Sequence, residues 1–200
     1  MLKTVDLGTS HVGPVSVSVA RGECLAIQGA SGSGKSLLFR AIADLDPNRG
    51  EVYLNDRSRA EMPAFEWRRK VSFVPAESGW WADRVADHFD DAGVLHDLLE
   101  TVGLTGALDW DVSRLSTGER HRLAIIRALQ TQPDALLLDE PTASLDAEMT
   151  TAVEGLIKQQ LARGVCVLLV THDPEQAERV ANRSLRMKDG RLQSGSGVPS

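Results

Sequence analysis

Long apolar runs are missing from this chain. No stretch of its 200 residues approaches the roughly 20 apolar residues of a membrane-spanning helix. The opening MLKTVDLGTS has no apolar core of the signal-peptide kind. Both absences predict a protein that stays in the cytosol. Positive charge is also short. The 22 Lys and Arg stand against 28 Asp and Glu, a net charge of −6, so no nucleic-acid partner is expected from bulk electrostatics. Cysteine is nearly absent. Cys24 and Cys166 are too far apart for a zinc signature and too few for a disulfide framework. Each lies in an apolar run and reads as a buried, reduced thiol acting as a small hydrophobe. Aromatic residues are scarce, and none precedes Phe39, which limits what could stack on a planar ligand near the N-terminus. There is no internal repeat.

What is present describes one domain, residues 1–200, long enough for a substantial core. Continuous apolar runs at Cys24–Gln28, Ala135–Leu138 and Val165–Val170 suit parallel strands covered on both faces. Val71–Val74, closed by Pro75, is a further strand, and Glu51–Leu54 is another after the turn-forming Asp46–Gly50. The alternation from Val15 toward Ile27 predicts a small antiparallel β part at the N-terminus. Leu37–Ala43 and Glu148–Arg163 read as helices, the second closed by Gly164. The acidic middle, about 77–114, has no strong strand and reads as a short helical subdomain inserted in the core. Gln193–Ser200, QSGSGVPS, reads as a disordered tail. The predicted fold is α/β, with a mainly parallel sheet.

Gly29–Ser36 reads GASGSGKS and fits G-x-x-x-x-G-K-[ST], the phosphate-binding loop or Walker A motif. A strand in front and a helix behind are the setting the motif requires. Gly29, Ala30, Ser31, Gly32, Ser33 and Gly34 would curl their backbone N–H groups round an anion. The helix after Leu37 would aim its positive end at the same phosphates. Lys35 would reach the β- and γ-phosphates, and the Ser36 hydroxyl would hold Mg²⁺. A Gly/Ser-rich turn before a helix is the plainer reading, but it leaves Lys35 and Ser36 unexplained.

Three further patterns follow. Leu136–Glu140, LLLDE, is an apolar strand ending in acids. This suits a Walker B element, with Asp139 on Mg²⁺ and Glu140 placed to polarise a water. Taken alone it is only an acidic pair ending a strand. Leu115–Glu119, LSTGE, opens a helical run. Ser116 and Gly118 there make a second anion site, and Ser116 or Thr117 is equally an ordinary N-cap. Thr171-His172-Asp173 follows the last long apolar strand, where His172 could hydrogen-bond a γ-phosphate.

Walker A, LSTGE, LLLDEPTASLD and THD, in this order, resemble the nucleotide-binding domain of ATP-binding cassette (ABC) proteins over about Val15 to Leu192. LSTGE is similar to the family signature, Ser144-Leu145-Asp146 to its D-loop and His172 to its switch histidine. The resemblance implies ATP and Mg²⁺ as ligands and ATP hydrolysis with Glu140 and His172 as catalytic residues. It also implies a head-to-tail pairing with a second ATP-binding domain, like or unlike. Ser116 and Gly118 would then contact the nucleotide of the other copy. The work would be done on a separate transmembrane permease subunit, with this chain peripheral on the cytoplasmic face. A soluble ABC-type switch on a non-transport partner is the alternative. A P-loop small-molecule kinase is a third, and it leaves LSTGE and SLD unexplained.

The chain departs from the family pattern in places. The glutamine expected after the Val71–Val74 strand is Ala76, which has no polar group. Either Glu77 substitutes or a partner completes the site. Thr117 and Glu119 replace Gly and Gln in the signature. No aromatic precedes Walker A to stack the base, and His11 is the only ring available there; it reads equally as part of an exposed turn. Trp80 and Trp81 form either a dock for a membrane subunit's helix or one core and one surface packing residue.

Overall fold

Two sheets organise the molecule, and they differ in why their strands form. The computed structural model describes residues 1–90 and 95–194. The elements in chain order are β1 (Leu2–Gly8), β2 (Val15–Val19), β3 (Cys24–Gln28), α1 (Lys35–Ile42), β4 (Arg49–Leu54), β5 (Arg57–Ser58), α2 (Ala64–Lys70), β6 (Val71–Val74), α3 (His96–Thr101), α4 (Thr117–Leu129), β7 (Ala135–Asp139), α5 (Ala147–Ala162), β8 (Cys166–Val170), α6 (Pro174–Val180), β9 (Arg183–Lys188) and β10 (Arg191–Ser194).

The larger sheet has the order β10-β9-β3-β8-β7-β6. From β6 to β9 its neighbours run parallel, and β10 closes it antiparallel to β9. Its central strands are apolar up to their C-terminal ends because both faces are covered. Along β8 the side chains alternate between two cores: Val167 and Leu169 face one, and Cys166, Leu168 and Val170 the other. The first core lies under α4, α5 and the insertion. The second lies between the sheet, α1, α2 and the antiparallel sheet β2-β1-β4-β5. Trp67 of α2 is fully buried there, and its indole N–H donates to the Ile42 carbonyl at 2.9 Å, satisfying an end of α1. The two cysteines are free, buried and on opposite faces of the sheet.

Several elements differ from the sequence expectations. The insertion is less helical than its composition suggests. Among the described residues it holds one short α-helix, α3, and 3₁₀ turns at Val85–His88, Ala107–Asp109 and Val112–Arg114. Gln193 and Ser194, placed in the expected disordered tail, pair in β10, whereas 195–200 lie outside the described residues. The strands β1, β9 and β10 and the helices α2 and α6 have no counterpart in the sequence expectation. Among the described residues no helix is long and apolar enough to cross a membrane.

Candidate nucleotide site

The C-terminal ends of β3, β7 and β8 are neighbours in the sheet. They therefore bring three separate sequence motifs to one edge, the place where open parallel sheets bind ligands. The loop from β3 to α1 can adopt its shape only with glycine at two places. Gly34 caps α1 at φ 105°, where a Cβ would lie 2.7 Å from a Val12 methyl. At Gly29, φ is 153° and a Cβ would collide with the Met187 carbonyl oxygen. Lys35 is 7 % exposed, and its ammonium donates to the carbonyls of Gly29 (2.8 Å) and Ala30 (3.0 Å). A cation is thus held over the loop with no carboxylate partner to neutralise it among the described residues.

Asp139 ends β7 and is buried. Glu140 follows in the left-handed region at φ 54°, tied by its N–H to the Val170 carbonyl of β8 at 3.0 Å. That turn aims its carboxylate at His172, which follows β8. The His172 N–H donates to Glu140 Oε2 at 3.3 Å, and His172 Nε2 lies 3.1 Å from Oε1. The second contact is an ion-pair distance without hydrogen-bond alignment, so Oε1 is buried with no hydrogen-bond donor. Burial pushes the Glu140 carboxyl above its ordinary range, against the pull of His172.

Two cavities flank the loop. One, of about 270 Å³, is bordered by Ser31, Gly32, Lys35, Ser36, Asp139 and Glu140, with Gly34, Leu37, Ala76 and His172. The other, of about 680 Å³, runs from Gln28–Ser33 to Thr171, His172 and Pro174 and to Arg186–Asp189. The smaller fits a phosphate chain with a hard cation. It offers a lysine, loop amides, and the oxygens of Ser36 and Asp139. No cluster of three or more His, Cys, Asp or Glu that could hold a metal exists among the described residues. A cation here would therefore take its remaining ligands from water and phosphate, as Mg²⁺ does. The buried Ser33 hydroxyl and Glu140 Oε1 have no hydrogen-bond partners, which also fits a polar ligand.

The fold thus brings Gly29–Leu37, Asp139, Glu140 and His172 together. It leaves Ser116 and Gly118 at the start of α4, on the border of neither cavity. Ser116 is engaged locally. Its hydroxyl donates to Glu119 Oε2 (2.9 Å) and accepts from the Glu119 N–H (3.3 Å), while Glu119 accepts the Ser116 N–H (2.8 Å). This is a capping box. Ala76 borders the smaller cavity, whereas exposed Glu77 does not. His11 is exposed on a turn and borders neither cavity. Trp80 packs against the core, and Trp81 is 71 % exposed. The Arg127 guanidinium lies 4.8 Å from each indole ring.

Some neighbours of the site carry no sequence signal. Gln28, Thr171 and Arg186–Asp189 line the larger cavity only because β8 and β9 flank β3. His121 on α4 is buried with its Nε2 unpartnered. Burial pushes its pKa down, against the pull of Asp139. Its sequence neighbours, Arg120 and Arg122, give no hint of that burial.

A phosphate loop between a buried parallel strand and a helix, beside an acidic strand end and a histidine, defines a P-loop nucleotide-binding domain. Residues 12–143 match the family model described as ABC transporter. The chain is 35 % identical over 199 residues to the "Probable anion import ATP-binding protein" of Haloferax volcanii, covering 85 % of this chain and 69 % of that protein. It is 40 % identical over 187 residues to the aliphatic sulfonates import ATP-binding protein SsuB of Cupriavidus necator, covering 89 % of this chain and 61 % of that protein. A solved ATP-binding subunit of an ABC transporter superposes with a TM-score of 0.87 at 25 % identity, over 99 % of this chain and 90 % of the other. The chain belongs to the ABC transporter family.

Proposed function

We propose that this chain binds and hydrolyses ATP as the nucleotide-binding subunit of a transporter whose membrane-spanning part is a separate chain. The observation that carries the reading is the convergence of Lys35, Ser36, Asp139, Glu140 and His172 on one cavity. In it Lys35 and the loop amides bind the phosphates. Ser36 and Asp139 would hold Mg²⁺, whose charge offsets that of the phosphates. Glu140, raised in basicity by burial, orients the attacking water and draws on its proton. His172 fixes the Glu140 carboxylate from the β8 side and borders the same cavity, where its ring would meet the γ-phosphate.

Ser116 and Gly118 lie away from this cavity, which supports their use on the nucleotide of a second ATP-binding domain paired head to tail. Ala76 offers no polar group, and Glu77 stays off the cavity. Both facts support a site completed by a partner. The import proteins among the relatives support a role in uptake, with the chain peripheral at the cytoplasmic face.

Replacing Glu140 tests this directly. Glu140→Gln should keep ATP binding and lower turnover by about 10²-fold or more, the scale of a general-base contribution. Wild-type turnover in Glu140→Gln, measured by phosphate release, overturns the assignment.

A further inference from the structure

Gln176, on α6, has no exposed surface. Its amide nitrogen donates to the Thr142 hydroxyl at 2.8 Å. Thr142 stands two residues after Glu140, in a turn closed by hydrogen bonds from the Ala143 N–H to the Glu140 carbonyl (3.3 Å) and from the Leu145 N–H to the Thr142 carbonyl (3.1 Å). That turn opens on a non-glycine residue in the left-handed region, Glu140 at φ 54°. Left-handed backbone is uncommon for a non-glycine residue and costs free energy that neighbouring contacts offset. Among the described residues, the Gln176–Thr142 bond is the one side-chain hydrogen bond that joins α6 to the turn.

The same amide nitrogen is also anchored to α5. It lies 3.5 Å from Oε1 of Glu154, a buried carboxylate on α5 that the Arg179 guanidinium holds at 2.8–3.2 Å. Arg179 also reaches Asp173, the neighbour of His172, at 3.5 Å. The far side of the turn rests on the signature helix. A Cβ at Gly118 would lie 3.1 Å from the Ser144 carbonyl oxygen and 3.3 Å from Leu145. The turn is therefore fixed between α4 and α6, and Gln176 is its tie to the segment that carries His172.

We propose that Gln176 is a positioning residue for hydrolysis, holding the turn after Glu140 through Thr142 so that Glu140 and His172 stay in register. This rests on the reading of Glu140 and His172 as the hydrolytic pair. An amide buried with its Oε1 unpartnered is costly to keep for packing alone. A positional role accounts for this amide at the meeting of the turn, α5 and α6.

The test uses near-isosteric changes in the full chain. Gln176→Met and Thr142→Val should each lower kcat for ATP by about tenfold with KM within about twofold, since positioning acts on the transition state and not on nucleotide binding. The double variant should be no slower than either single one. Thr142→Ser, which keeps the hydroxyl, should restore turnover. Unchanged kcat in folded Gln176→Met or Thr142→Val, losses that multiply in the double variant, or failure of Thr142→Ser to restore turnover overturns the inference. Should Gln176→Met fail to fold, the Thr142→Val and Thr142→Ser pair decides alone. Glu140→Gln is assayed alongside. If it turns over like the wild type, the hydrolytic reading falls and takes this inference with it. If it is inactive while the Gln176 and Thr142 variants match the wild type, this inference alone falls.

Discussion

Lys35 is a buried cation that, among the described residues, donates only to two loop carbonyls. That is a modest replacement for lost hydration, and an anionic phosphate is a far better one. Lys35→Ala should therefore weaken ATP binding by about 10- to 100-fold, the range of a charge-assisted hydrogen bond. Calorimetry giving the wild-type Kd would remove Lys35 from the phosphate site. The base is a separate matter. No aromatic precedes Phe39, and His11 is exposed on a turn bordering neither cavity. The nucleotide then lacks a stacking partner worth about 1 kcal/mol. ATP and GTP should bind within about tenfold of each other, and a competition assay that strongly favours ATP would mean another group reads the base. The loop, its lysine and the Asp139-Glu140 pair were legible because each motif is contiguous in sequence. The Glu140–His172 contact was not, because 32 residues separate its members and only adjacent strand ends join them.

At the scale of elements, α4 joins stability to the signature. Its capping box is built from Ser116 and Glu119. Ser116→Ala should cost about 1 kcal/mol of unfolding free energy in urea melts. The N–H of Ser116, and then its hydroxyl, holds the Glu119 carboxyl below its ordinary range. A depressed carboxylate stabilises the fold above its unfolded-state value, near 4.5, and loses that contribution as pH falls through its lower folded value. Glu119→Gln should thus be less stable than the wild type at pH 6, with the gap closing as the solution is acidified below 4.5. A pH-independent gap in the same melts would mean that the charge contributes nothing. Among the elements legible in sequence, the clearest strands were those with one environment along their length, while β2 was legible from its alternation. Strands β3, β7 and β8 are apolar up to Gln28 and Asp139 at the ends of β3 and β7, because both faces are buried. Strands β1 and β9 mix charges with apolar residues, since their burial changes from residue to residue. The insertion read as helical from its acidic composition, yet its described residues are mostly irregular backbone around α3 and three 3₁₀ turns, tied by backbone bonds such as Val85 N–H to the Trp110 carbonyl at 2.9 Å.

At the scale of the molecule, the site lies at the C-terminal ends of β3, β7 and β8, and the signature on α4 borders neither of its cavities, which supports the use of the signature on the nucleotide of a second copy. Glu140→Gln with ATP should therefore run at about twice the monomer mass in light scattering, because slowed hydrolysis leaves the paired state populated. ADP should leave it monomeric. A monomer under saturating ATP would remove the head-to-tail arrangement of identical chains. The sequence by itself determined the phosphate loop, the acidic strand end and the histidine, because each needs only neighbours along the chain and the backbone geometry those neighbours impose. It also determined the parallel α/β core, through apolar runs that no half-exposed strand would carry. Tertiary structure alone decided which strand ends adjoin. That adjacency turns Glu140 toward His172, puts Ala76 instead of Glu77 on the cavity, and buries Gln176 against Thr142. Such contacts arise from the strand order β9-β3-β8-β7-β6, in which chain segments meet across distances that no local pattern records.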